Sequence, residues 1–341
     1  MFREGLLYEP ASGGKLRCNV CQRRCVISPG KLGYCRTRVN QGGKILTAIY
    51  GVVSSVAADP IEKKPVFHYK PGSRVFSLGT YGCNFRCLFC QNWQIAYADL
   101  GAVEGPEQMD IPPERAISLA QESGCQGIAW TYNEPAIWLE YALDTARLAK
   151  QAGLYTVYVT NGYATPEALD EIGPYLDVYR VDFKSFSPRF YRELIRVTDI
   201  EGIRSVAVRA RAKWRMHVEV VTNVIPGYND DPEGIRGMAL WIAQNLGEET
   251  PWHLTRFFPH ARLTNVPPTP LDTLRRSRDI ATEAGLKFVY LGNVAGAGGE
   301  DTRCPVGGEL VVSRSHYRTQ LVAVRPDGRC VEHGTPLHIV L

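Results

Sequence analysis

Three cysteines, Cys83, Cys87 and Cys90, crowd into the stretch Tyr81-Gly-Cys-Asn-Phe-Arg-Cys-Leu-Phe-Cys-Gln-Asn-Trp93. Thiolates so spaced bind metal, and their number sets the chemistry. A structural zinc site closes its coordination with four ligands, and an ordinary iron–sulfur cluster takes four cysteines. A four-iron cube held at three corners keeps its fourth iron open for a substrate or cofactor. A zinc ion at the same place must instead borrow a ligand, such as a His or Cys of the N-terminal segment. A second set, Cys18-x2-Cys21-x3-Cys25-x9-Cys35, is complete by itself and suits structural zinc or an auxiliary electron-transfer cluster. Cys125 stands alone and reads as a small buried hydrophobe.

Composition bounds what surrounds these sites. A chain of 341 residues, 45% hydrophobic and 22% charged, buries a full core and is not disordered. The net charge of +4 comes from Lys and Arg spread along the chain, without the dense runs that track a phosphate backbone, which argues against nucleic acid. No run approaches the ~18 apolar residues of a membrane span, and the N-terminus lacks an apolar core of signal-peptide length. A cytoplasmic protein with no membrane contact is expected, and in a reducing compartment the clustered cysteines read as metal sites, not disulfides.

Elements that could position the thiols follow from two alternating periodicities. Apolar runs at 74–79, 128–132, 155–160, 178–183, 218–224, 253–258 and 287–291 read as strands, and 113–123, 136–152 and 232–246 read as helices. Pro113, Pro166, Pro188, Pro232 and Pro270 mark helix starts, while Gly124, Gly153, Gly247 and Gly285 mark ends. Regular alternation forces parallel pairing with crossover helices, so the fold class is α/β, either a doubly wound sheet or a barrel. Polar groups gather after successive strands: the three cysteines, Thr131-Tyr-Asn-Glu-Pro135, Thr160-Asn-Gly162, Asp182-Phe-Lys184, and Thr222 and Asn223. A doubly wound sheet concentrates its ligand groups at one switch point, so this spread favours a partial or full (β/α) barrel.

The spacing Cys83-x3-Cys87-x2-Cys90, with an aromatic residue before the last cysteine, resembles the radical S-adenosylmethionine (radical SAM) enzymes. Together with Asp59-Pro-Ile-Glu-Lys-Lys-Pro65, Cys90-Gln-Asn-Trp93, Thr131-Tyr-Asn-Glu-Pro135, Val159-Thr-Asn-Gly162 and Asp182-Phe-Lys184, it resembles the radical SAM component of the AmmeMemoRadiSam system. That group is similar to pyruvate formate-lyase activating enzymes, and the likeness runs from about Cys18 almost to the end of the chain. It implies a [4Fe–4S] cluster on Cys83, Cys87 and Cys90, with SAM chelating the remaining iron. Reductive cleavage would then yield a 5'-deoxyadenosyl radical that abstracts hydrogen from an organic substrate. Asn133 and Glu134 would meet the SAM amino group, although Glu134 could equally cap the following helix. Asn161 would meet a ribose hydroxyl or simply make a turn. Lys184 would meet the SAM carboxylate, with Asp182 holding Lys184 or the ribose, and Phe89 would pack on the adenine or in the core.

Two departures qualify the likeness. Glycyl-radical activators carry their extra clusters after the core motif, whereas the Cys18, Cys21, Cys25 and Cys35 set precedes it. Relatives' tails look like zinc ribbons with two Cys-x2-Cys pairs, but here they read Cys304-Pro-Val-Gly307 and Cys330-Val-Glu-His333. Gly307 removes a ligand and His333 can replace one, so the segment is either a decayed ribbon held by packing or a site where Cys304, Cys330 and His333 gather a metal with a fourth group from elsewhere. His253 and His260, beside aromatic residues, read as structural. The expected organisation is an N-terminal four-Cys module at 1–45, the barrel at 46–300 and a degenerate zinc-ribbon-like segment at 301–341. The expected function is radical SAM chemistry on an unidentified substrate, supplied with electrons by a flavodoxin or ferredoxin. The alternatives are a glycyl-radical activase and a noncatalytic metal-binding scaffold. The resemblance implies Memo-like and AMMECR-like proteins as expected pathway partners, without establishing contact with them.

Overall fold

The computed structural model describes residues 2–98, 109–197, 199–294 and 298–341. Its centre is one eight-stranded sheet in sequential order, from β1 (Ser55–Pro60) and β2 (Arg74–Gly79) through β3 (Gly127–Trp130), β4 (Tyr155–Thr160), β5 (Val178–Asp182), β6 (His217–Val224) and β7 (Trp252–Arg256) to β8 (Val289–Gly292). Pairing is parallel from β2 to β8, while β1 runs antiparallel to β2. β1 and β8 are the two edges of this order, so the sheet is a partial barrel and not a closed one. The sequence reading missed β1, whose mixed Ser-Val-Ala-Ala-Asp-Pro has weak alternation and ends in the proline that an edge strand tolerates.

Period-two alternation divides the strand side chains between two cores. Val75, Ala129, Val157, Val159 and Val178 face inward onto Ile61 and Val66, which plug the base of the barrel. Their neighbours Phe76, Ile128, Trp130, Tyr158, Tyr179 and Val220 face outward into the larger core shared with the helices. Those helices include α1 (Pro113–Glu122), α2 (Leu139–Gln151), α3 (Pro166–Ile172) and α4 (Pro232–Asn245). Thr165 caps α3 through the Ala168 N–H, and Asp231 caps α4 through the Gly234 N–H. The helix expected over 136–152 begins instead as a 3-10 turn, Pro135–Trp138, before α2.

Short antiparallel strands build the N-terminal module, whose hairpin Arg38–Gln41 and Lys44–Thr47 straddles the boundary expected at residue 45. A buried ion pair ties it to α2: Arg38 Nη2 lies 2.7 Å from Glu140 Oε2, and Leu6 donates its N–H to Glu140 Oε1 at 2.6 Å. At the other end of the chain, residues 302–341 pack against the segment linking β1 to β2 and reach β8 through Thr302 and Tyr290, whose hydroxyls lie 2.8 Å apart. Arg314 Nη2 donates to Phe67 O at 2.8 Å, Thr319 Oγ1 to Glu62 Oε1 at 2.6 Å, and His68 Nδ1 lies 2.9 Å from Leu337 O.

Candidate functional site

Strand β2 delivers the three cysteines to the mouth of the barrel. Beyond Gly79 the chain turns through Gly82, at φ +81°, where an added Cβ would lie 2.6 Å from the Cys35 carbonyl oxygen. Only glycine lets the N-terminal module approach the cysteine loop so closely. Bonds on both sides pin that loop: Gly82 N–H to Ile95 O at 2.9 Å, Leu88 N–H to Leu194 O at 2.8 Å, and Arg262 N–H to Leu88 O at 2.8 Å. Arg86 fastens it from below, donating to Cys83 O at 2.6 Å and to Tyr34 O at 3.1 Å.

Cys83, Cys87 and Cys90 line one cavity of about 390 Å³. Burial pushes all three thiols up, Cys87 to about 12. Thiolates sharing one tetrahedral zinc lie about 3.8 Å apart, from Zn–S bonds of about 2.3 Å. Among the described residues, no three of these sulfurs come within 4.8 Å of one another, nor do any three of Cys18, Cys21, Cys25 and Cys35.

The same cavity is lined by Phe89, Asn133, Asn161, Asp182 and Lys184. Asp182 ends β5, and Lys184 stands in the loop beyond it, not on the strand as the alternation implied. Lys184 Nζ donates to Asp182 Oδ2 at 3.2 Å, and Arg180 pairs with the other carboxylate oxygen. Burial opposes the charge on Asp182, but Arg180 and Lys184 outweigh it and hold its carboxyl below the usual range. Burial likewise opposes the charge on Lys184, and the Asp182 carboxylate overcomes it, so the ammonium persists. Phe89 lies 5.8 Å below that ammonium and also packs on Phe190 at 6.0 Å between centroids. Asn161 bonds Asn84 Oδ1 at 2.7 Å and accepts from the Tyr163 N–H, so its turn role is realised alongside its place on the wall.

Glu134 lies elsewhere. It is fully buried behind the wall, accepting from Ala136 N at 2.9 Å, Thr160 Oγ1 at 2.7 Å and Asn161 N at 2.7 Å. The structure thus gives it the helix-capping alternative and makes it a positioning group for Asn161. Burial, only partly offset by these bonds, raises its carboxyl to about 7. Asn133 does face the cavity, with its amide bonded to Gly82 O at 2.7 Å and to the Thr80 N–H at 3.3 Å. His253 bonds Glu219 at 2.6 Å as a buried structural group, and His260 is exposed.

Sequence reasoning missed Arg180 and Lys64. Arg180 lies two residues before Asp182 and faces the same side by the same alternation, so the signal was present. Lys63 and Lys64 line the cavity and share Asp59 at 2.8 and 2.7 Å, which Tyr132 also reaches with its hydroxyl at 3.1 Å. With Arg180 and Lys184 these make four cations answered by two carboxylates, Asp59 and Asp182, a surplus that favours an anionic ligand group.

In the N-terminal module Cys18, Cys21, Cys25 and Cys35 line a common cavity with Arg38 and Asn84. Arg38 Nε and Nη1 and Asn84 Nδ2 are buried there without hydrogen-bond partners. Arg23 bridges the two sites, donating from Nε to the carbonyl of Asn84, the residue after Cys83.

Comparison with known proteins agrees with this geometry. Residues 77–238 match the Radical SAM superfamily, whose members are enzymes that use a [4Fe–4S] cluster, SAM and a reductant. The chain is 38% identical over 341 residues, the whole of both chains, to Uncharacterized protein MJ0808 of Methanocaldococcus jannaschii. It is 29% identical over 141 residues to the isethionate sulfite-lyase activating enzyme of Oleidesulfovibrio alaskensis, covering 40% of this chain and 44% of that one. A radical SAM methyltransferase from Sphaerobacter thermophilus shares the fold with a TM-score of 0.50 at 14% identity, over 65% of this chain and 66% of that one. With three cysteines on one cavity wall at the mouth of an open parallel barrel, the chain belongs to the radical SAM superfamily.

Proposed function

We propose that this chain cleaves SAM reductively at the cavity formed by Cys83, Cys87, Cys90, Asn161, Asp182 and Lys184, and acts on an organic substrate. The observation that carries this reading is the meeting of three thiols and a paired Lys184–Asp182 on one cavity wall. Cys83, Cys87 and Cys90 would hold the cluster, which when bound supplies one electron to the carbon–sulfur bond of SAM, giving methionine and a 5'-deoxyadenosyl radical. Lys184 binds the SAM carboxylate, kept charged and aimed by Asp182 and Arg180. Asn133 meets the amino group, and Asn161, fixed by Glu134 through its backbone, meets the ribose. Phe89 closes the apolar side against the adenine and excludes water. Incubating the reconstituted protein with SAM and a strong reductant without oxygen should release 5'-deoxyadenosine. Its absence would favour the scaffold alternative.

The N-terminal cysteines hold an iron–sulfur cluster in this reading. A cluster bearing four thiolates is anionic and answers the unpaired Arg38 and Asn84 donors, whose burial unpaired would cost about 1–3 kcal/mol each. Its place beside Asn84 suits a relay from a flavodoxin or ferredoxin. The family motifs support membership of the AmmeMemoRadiSam group, with Memo-like and AMMECR-like proteins in the same pathway. Ten free cysteines suit a cytoplasmic setting, and no helix among the described residues is long and apolar enough to cross a membrane. A second reading, activation of a glycyl-radical protein, is favoured by the partial likeness to the sulfite-lyase activator. It requires a protein-borne radical on an added partner.

Lys184→Met isolates the carboxylate contact. A charge-assisted bond contributes about 1.5–3 kcal/mol, so SAM should bind roughly tenfold or more weakly, with the iron content unchanged. Equilibrium binding of SAM to the reconstituted variant measures this, and unchanged affinity would remove Lys184 from the site.

A further inference from the structure

Residues 301–341 carry a small core of their own, made of Cys304, Val311, Val312, Cys330, Leu337 and Ile339. Cys304 and Cys330 of this core, the half-buried Glu309 and the exposed His333 each bring one ligand atom to within 4.8 Å of the others. Two tight turns present them. Gly308 N–H bonds Cys304 O at 2.8 Å, and Gly334 N–H bonds Cys330 O at 2.9 Å, with both glycines at positive φ. His333 Nδ1 lies 2.8 Å from Glu309 Oε1 and 3.8 Å from Cys304 Sγ, and Cys330 Sγ lies 2.6 Å from Glu309 Oε1.

The expected loss of a ligand at Gly307 is made good by a residue that the sequence did not flag. A Cβ at position 307 would lie 2.2 Å from Glu309 Oε2 and from His333 Cε1. A side chain at 307 would therefore have to displace the Glu309 carboxylate or the His333 ring, and glycine leaves both where they are. Glu309 Oε2 is buried without a hydrogen-bond partner, and no Lys or Arg among the described residues pairs with Glu309. A carboxylate facing two thiols in this way lacks a cation.

We propose that Cys304, Glu309, Cys330 and His333 bind one zinc ion as a closed structural site. Two sulfurs, one imidazole nitrogen and one carboxylate oxygen are donors that zinc accepts in a tetrahedron, whereas magnesium and calcium select oxygen sets. Both thiols give up their protons on binding, His333 binds through a neutral ring nitrogen, and the four protein donors leave no position for substrate. The ion fixes the C-terminal strap that packs against the segment linking β1 to β2. Cys330 lies seven residues before Leu337, whose carbonyl meets His68, and Val340 N–H bonds His68 O at 2.8 Å.

The test is competition of the full chain against a chromophoric zinc chelator, with iron per chain measured on the same samples. The wild type should hold one zinc at this site. His333→Ala and Glu309→Gln, which keeps the side-chain shape, should each weaken that zinc by about tenfold or more while leaving iron unchanged. Trypsin should also cut at Arg329 faster in both variants. The proposal is overturned by a wild-type chain without zinc, or by either variant holding zinc as tightly as the wild type.

Discussion

Replacing Cys83, Cys87 and Cys90 together by alanine should remove about four irons per chain and abolish release of 5'-deoxyadenosine. The loop keeps its course without the thiols, because backbone bonds from Gly82, Leu88 and Arg262 hold it. The loss is therefore chemical and does not follow from unfolding. Iron and sulfide counts on anaerobically reconstituted protein check it, alongside product analysis. Iron that persists in the variant belongs to Cys18, Cys21, Cys25 and Cys35, where a second cube would leave about four. An iron count equal to the wild type would show that the three thiols hold no cluster, and the proposed chemistry would go with them.

Glu219→Ala should cost about 3–5 kcal/mol, the range for removing one partner from a buried charged network. Glu219, fully buried on β6, accepts from Phe67 N at 2.9 Å and His68 N at 2.8 Å, and lies 2.8 and 2.6 Å from His217 and His253. Truncation leaves two backbone donors and a buried imidazole unanswered at the base of the barrel. Burial alone would raise the Glu219 carboxyl, but the bonds from His217 and His253 outweigh it and hold it well below the ordinary 4.5. A depressed carboxyl contributes its stability above the ordinary value and loses it as pH falls further. Burial lowers His253 from 6.5, so acid also favours the unfolded chain at that group. The wild-type melting temperature should consequently fall below pH 6.5, and more steeply below 4.5. Melting curves against pH for both proteins decide this: equal slopes would show that Glu219 is not the linked group.

The cysteine triad and the order of strands were legible because spacing and period two are local properties of the chain. Asp182 was legible for the same reason, and Arg180 lay within reach of the same rule, whereas Lys184 reaches the cavity from the loop beyond β5. Glu134 was not. Its direction depends on Tyr132, which adopts φ +71° just beyond the end of β3 and breaks the alternation, turning the carboxylate behind the wall. No pattern in Thr131-Tyr-Asn-Glu-Pro135 announces a left-handed tyrosine. Strand β1 and the strap escaped because both are defined by what they pair with across long separations. Glu309 was hidden for a similar reason, since its partners, Cys330 and His333, lie 21 and 24 positions away.

Packing of the C-terminal strap onto the segment between β1 and β2 joins His68 to Leu337, 269 positions apart, and Glu62 to Thr319, 257 apart. During synthesis the barrel floor stays uncovered until nearly all of the chain has emerged, while the first four cysteines are exposed to metal long before. Such distant pairing is slow to form. The barrel is thus completed only at the last stage, when residues 302–341 reach the segment between β1 and β2.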